Sequence, residues 1–133
     1  MTFLALPAVA NAIGIWGGGG AAELLASVNW LASCRLFYWG DLDVHGFHIL
    51  SRLRRTFPNL ASLMMDAATL EQFHSHTSRA KVANYEDAKV LTAEEQSAYE
   101  RVRKEILLLE QEKIPYAHAT RLIAEALSDK PTS

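Results

Sequence analysis

The stretch RLFYWGDLDVHGFHILSRLRRTFPNLASLMMD, residues 35–66, alternates two apolar runs with one helical pattern, and this alternation restricts the fold more than any other feature. Gly46, Ile49, Leu50, Leu53 and Phe57 recur at the spacing of a single helix face, and the pattern stops at Pro58. RLFYW (35–39) and LASLMMD (60–66) are apolar on both faces, as strands covered on both sides are. Upstream, NAIGIW (11–16) reads as a further buried strand, followed by the turn GGGG and a helical stripe of Ala21, Leu24, Leu25, Val28 and Leu31. Strands separated by helices of this length pair in parallel through right-handed crossovers, which predicts an α/β fold with an open, mainly parallel sheet flanked by helices.

The remainder of the chain reads as helical. Thr92 and Glu95 have the spacing of a capping box that opens a helix carrying Tyr99, Val102, Ile106 and Leu109 on one side. A last helix is expected from about Tyr116 to Leu127, with Leu122, Ile123, Ala126 and Leu127 facing inward. One domain over 1–127 and a polar tail over 128–133 account for the 133 residues.

Half of the residues are apolar, which excludes a disordered class, and a net charge of -2 excludes wholesale attraction to nucleic acid or anionic membrane while leaving local basic patches open. Cys34 is the only cysteine, so neither a disulfide framework nor a thiolate zinc cluster is available. The apolar N-terminus lacks a basic leader region and is interrupted by Pro7 and Asn11 short of a membrane span. A cytoplasmic protein without membrane partners is expected.

Asp41 and Asp43 close the RLFYW strand one residue apart. In an open parallel sheet ligands bind beyond the carboxyl ends of the strands, and residues i and i+2 of an extended segment point the same way. Two converging carboxylates repel unless a cation neutralises them, and Mg²⁺ favours one or two carboxylates completed by waters and phosphate oxygens. The alternative is that Asp41 caps a turn and Asp43 caps the next helix. The strand before the pair and the glycine and helix after it favour the metal site, and Asp43 can hold both roles.

GDLDVHGFHIL resembles the Asp-x-Asp segment of Toprim domains, the metal-binding α/β units of topoisomerases, primases and some nucleases. More specifically, YWGDLDVHGFHILSRLRRTFP, SLMMDAATL, LTAEEQ and LLEQEKIP, in this order and spacing, resemble the C-terminal domain family of the Wadjet anti-plasmid subunit JetD, itself similar to the A subunit of type IIB topoisomerases. The resemblance covers nearly the whole chain. It implies a Mg²⁺-dependent DNA endonuclease, with Mn²⁺ as a substitute ion, acting as a homodimer on DNA together with the SMC-like subunits of the Wadjet complex. Asp41 and Asp43 would be its catalytic metal ligands.

The same pattern places a glutamate on a strand that would precede TFLALP, so the chain is expected to be truncated relative to the family, to self-associate through the exposed edge, and to be inactive unless another acid substitutes. Asp66, which ends LASLMMD, is the first auxiliary ligand expected, with N-capping of ATLEQF as its alternative role. Glu110 and Glu112 in LLEQEKIP follow it, with a helix-end surface role as their alternative.

Arg52, Arg54 and Arg55 occupy the polar side of the helix after the acids and Arg35 precedes the strand, a group that either grips a DNA backbone or forms an ordinary charged face, while His45, beside the metal segment, either touches a phosphate or is simply solvated. GGGG has no Walker lysine after it and reads as a turn. His74 and His76 lack a third soft ligand for zinc. Two other functions stay open: a Toprim-like binding or dimerisation module without cleavage, and a phosphoryl-transfer enzyme with one aspartate as nucleophile, for which no partner lysine or Ser/Thr motif is clear.

Overall fold

The computed structural model describes residues 27–82 and 86–128. Within them, strand β1 (Phe37–Tyr38), helix α1 (Val44–Thr56) and strand β2 (Ala61–Ser62) form the expected β-α-β unit. β1 and β2 pair in parallel, Phe37 opposite Ala61 and Tyr38 opposite Ser62. The pairing is held by Ala61 N–H donating to the Leu36 carbonyl at 3.0 Å and Leu63 N–H donating to that of Tyr38 at 2.8 Å. NAIGIW, GGGG and the start of the stripe after it lie outside the described residues, and the described end of that stripe is a 3₁₀ turn, Asn29–Ser33, with Leu31 buried.

α1 buries more than its predicted stripe. Gly46, Ile49, Leu50 and Phe57 are inside as expected, but so are Phe47, Ser51 and Arg54. The reason is a second contact: α3 (Ala93–Glu105) lies across α1, with the Phe47 and Tyr99 rings edge to face at 5.6 Å. Ser51 Oγ in turn donates to the Lys89 carbonyl at 2.6 Å and fastens the strap that leads into α3.

Short α2 (Ala67–Gln72) begins at Asp66, whose carboxylate accepts the Thr69 N–H at 2.9 Å. α3 opens with the predicted capping box, formed by Thr92 and Glu95 in both directions. Its end differs from expectation. The helix stops at Glu105, and Ile106 adopts a left-handed conformation (φ 54°, ψ 53°), which turns the chain into strand β4 (Leu107–Leu108). A β-branched residue is unfavourable there. What offsets it is antiparallel pairing of β4 with β3 (Ser78–Arg79) and donation by Ala80 N–H to the Ile106 carbonyl at 2.9 Å. Leu109, predicted on the helix face, therefore belongs to extended chain. α4 (Tyr116–Ser128) closes the described structure, with Ala119 and Ile123 buried.

The architecture among the described residues is thus mixed α/β, with one parallel and one antiparallel two-stranded sheet. Its core joins Leu42, Phe47, Leu50, Met65, Leu70, Val102 and Leu109, all almost completely inaccessible to solvent. No helix among the described residues is long and apolar enough to cross a membrane.

Candidate functional site

Leu42, between the two aspartates, is 1% exposed, whereas Asp41 and Asp43 are half-buried. The alternation is that of an extended segment, one side chain inward and its two neighbours outward. The backbone of Leu42 is fixed by an antiparallel bridge to Leu109, each N–H donating to the other's carbonyl at 2.9 and 3.1 Å. The end of β1 is thereby bound to a segment far along the chain.

Two glycines make room for this junction. A Cβ on Gly40 would lie 2.1 Å from the Tyr38 hydroxyl oxygen, and one on Gly46 would lie 2.0 Å from the Asp41 carbonyl oxygen. Gly46 thus lets the first turn of α1 press onto the backbone that carries the acids. Tyr38 spans the same junction, its hydroxyl donating to the Gly46 carbonyl at 3.2 Å.

Each aspartate gives one oxygen to a backbone N–H. Asp43 Oδ1 accepts from Gly46 at 2.7 Å and so caps α1, the role foreseen as its alternative. Asp41 Oδ1 accepts from Gln111 at 2.9 Å, and the Gln111 side chain reaches back to donate to the Trp39 carbonyl at 2.6 Å. Their second oxygens make no hydrogen bond among the described residues.

Burial pushes the Asp41 carboxyl above its ordinary value, and the charges of Asp43, Glu112 and Glu110 push it further, against the Gln111 N–H. Burial likewise raises Asp43, opposed by the Gly46 N–H and by His45. The Tyr38 phenol is also raised, by burial first and then by both aspartates. Gathered, partly desolvated negative charge of this kind favours either a proton or a cation.

Glu110 and Glu112 flank the clamped Gln111 and act on Asp41, while Asp66 caps α2 and lines a separate open cleft of about 590 Å³ with Ser62, Glu94 and Glu95. His45 is exposed in the first turn of α1. Arg52 and Arg55 are exposed on the same helix, but Arg54 is not on its polar side: it is 8% exposed and engages Glu95 through both of its terminal nitrogens. The carboxylate on α3 draws it inward. Arg35 lies over the Phe37 ring, 5.2 Å from its centre, and donates to the Ala126 carbonyl at 3.1 Å. The sequence alone does not mark Tyr38 or Gln111 as members of the site. An apolar triplet, Leu107–Leu109, running straight into Glu110 and Gln111 is the one local hint of a strand at this point.

Among the described residues no group of three or more His, Cys, Asp or Glu side chains is arranged to hold a metal ion. The donor set nevertheless suits Mg²⁺: two interacting carboxylates, each with a spare oxygen, match an ion that completes its shell with water and phosphate.

A mixed α/β domain with an Asp-x-Asp at the carboxyl end of a parallel strand defines the class. The family described as Wadjet protein JetD, C-terminal, matches residues 1–123, and the chain belongs to that family. It is accordingly a protein of the multi-subunit Wadjet defence system. No curated protein matches the chain.

Proposed function

We propose that the chain is the Toprim-like, Mg²⁺-dependent DNA endonuclease module of a Wadjet plasmid-defence system, acting on DNA as a homodimer beside SMC-like subunits. The observation that supports it is the pairing of Asp41 and Asp43 at the carboxyl end of β1, both raised by burial and each retaining one oxygen. Mg²⁺ held there would supply positive charge toward the phosphodiester being cut. The backbone N–H groups of Gln111 and Gly46 orient the carboxylates, and Leu42 anchors the segment in the core. Arg52 and Arg55 on α1, together with His45 in its first turn, offer positive charge near an acidic site that would otherwise repel a phosphate backbone. Of the auxiliary acids, Glu110 and Glu112 are better placed than Asp66 to extend the ligand set, since they act on Asp41.

A second reading, a module that binds metal and DNA without cutting, is favoured by one observation: among the described residues no group of three or more His, Cys, Asp or Glu side chains is arranged to hold a metal ion. Cleavage of supercoiled plasmid in Mg²⁺ or Mn²⁺, beside the Asp41→Ala, Asp43→Ala double variant, separates the two. Metal-dependent cutting by the parent that vanishes in the variant supports the endonuclease. Binding of metal and plasmid by a folded parent that does not cut supports the second reading.

A further inference from the structure

We infer that Gln111 is the positioning residue of the Asp41 carboxylate, a clamp that holds segment 110–112 against the end of β1 and sets the preference of the Asp41/Asp43 pair for a small divalent ion. The inference rests on the metal reading proposed above.

Gln111 makes two contacts in two directions. Its backbone N–H donates to Asp41 Oδ1 at 2.9 Å, and its side-chain amide donates to the Trp39 carbonyl at 2.6 Å. These span the acidic turn on both sides of Gly40, the position at which an added side chain would strike the Tyr38 hydroxyl. The turn therefore has no side chain of its own at its centre, and the restraint comes from across the molecule. The Leu42–Leu109 bridge delivers Gln111 to this place, and the clamp keeps Glu110 and Glu112 beside Asp41.

The residue type is as informative as the geometry. A neutral donor is needed: lysine would cancel the negative charge that attracts a cation, glutamate would set oxygen against the Trp39 carbonyl, and asparagine is one methylene too short. Mg²⁺ demands near-ideal octahedral geometry, whereas Ca²⁺ accepts irregular and flexible oxygen ligands, so a carboxylate with one oxygen fixed by the Gln111 N–H, on a turn whose Trp39 carbonyl is fixed by the Gln111 side chain, selects the smaller ion. Loosening it removes that selection before it removes all binding.

The test is calorimetric titration of the full chain with Mg²⁺ and with Ca²⁺, in the parent, Gln111→Met and Asp41→Asn. Methionine keeps length and volume and loses only the donor; Gln111→Asn serves as a second variant should Gln111→Met fail to fold, judged by circular dichroism. Expected for Gln111→Met, which keeps the backbone N–H to Asp41 and loses the bond to the Trp39 carbonyl, is a loss of Mg²⁺ affinity of about threefold to tenfold, one net hydrogen bond being the upper limit, with Ca²⁺ affinity changed by less than about threefold. Unchanged affinities, or a fall by the same factor for both ions, would overturn the inference while Asp41→Asn, by losing Mg²⁺ binding, upholds the metal site. A folded parent that binds neither ion would overturn the metal reading and the inference together.

Discussion

Replacing Arg54 by methionine should destabilise the domain by removing the buried ion pair that ties α1 to α3. The Arg54 guanidinium reaches Glu95 at 2.5 and 2.9 Å, the Leu60 carbonyl at 3.1 Å and the Val90 carbonyl at 2.8 Å. The two side chains are 9% and 4% exposed, so the pair lies beyond effective solvent screening. Arg54→Met would leave Glu95 with the Ser62 hydroxyl and the Thr92 N–H as donors, a buried carboxylate without its counter-charge. Breaking one side of such a pair costs about 3–5 kcal/mol. A domain of this size has about 5–15 kcal/mol in all. Urea unfolding followed by circular dichroism at pH 7 should therefore show a large drop, and adding Glu95→Gln, which keeps the cap acceptor but removes the stranded charge, should recover much of it. The pair also has a pH signature. Burial pushes the Glu95 carboxyl up, but hydrogen bonds from Arg54, Ser62 and Thr92 outweigh it and hold the group below its ordinary 4.5. A depressed carboxyl stabilises the fold above the ordinary 4.5 and loses that contribution as pH falls through the lower folded value, so the Arg54→Met deficit should shrink in acid. A loss below about 1 kcal/mol, or a fall in plasmid affinity at unchanged stability, would refute the reasoning and return Arg54 to the DNA-facing side.

Asp41 should behave in the opposite sense: its folded carboxyl is raised above the ordinary 3.8, so its stabilising contribution is present below that value and is lost as pH rises through the folded one. Asp41→Asn, which can still accept from Gln111, is expected to raise the metal-free melting temperature at pH 7 and to abolish any Mg²⁺-induced increase, both read by calorimetric scanning. Gly46→Ala would stabilise an ordinary helix interior by about 0.5–1 kcal/mol. Here the added Cβ would meet the Asp41 carbonyl at 2.0 Å, so urea unfolding should show a loss instead, together with weaker Mg²⁺ binding. Arg55→Ala should weaken plasmid binding with little effect on stability and make the salt dependence shallower by about 0.9 for each phosphate it no longer neutralises, measured by anisotropy at several salt concentrations.

The β-α-β unit is legible in the sequence because its signals are local. Apolar runs, a helical stripe and Pro58 all fall within residues 35–66, and the caps by Asp43, Asp66 and Thr92 each act over three positions. The end of α3 is not legible in this way. Val102, Ile106 and Leu109 satisfy helical spacing on paper, and what breaks the helix is pairing with Ser78 and Arg79 and bridging to Leu42, partners that no window around Ile106 contains. Arg54 escapes a local reading for the same reason: its place among basic residues suggests a solvated face, and the carboxylate that buries it lies 41 residues away.

That division bears on the acidic site itself. The Asp-x-Asp can be found from its strand and helix alone, yet its chemistry depends on groups the local sequence does not reveal. Burial raises both carboxyls, the nearby acids Glu110 and Glu112 arrive through the Leu42–Leu109 bridge, and Gln111 decides which way Asp41 faces. An isolated segment 38–50 would keep both aspartates and lose every one of these restraints except the Gly46 cap and the Tyr38 contact. Its carboxylates would be solvated, ordinary in acidity and free to turn apart, so a peptide of this stretch should bind Mg²⁺ far more weakly than the domain does. The metal affinity proposed here is thus a property of the junction between β1 and segment 109–112, and it should be lost in the same denaturant range in which that junction opens.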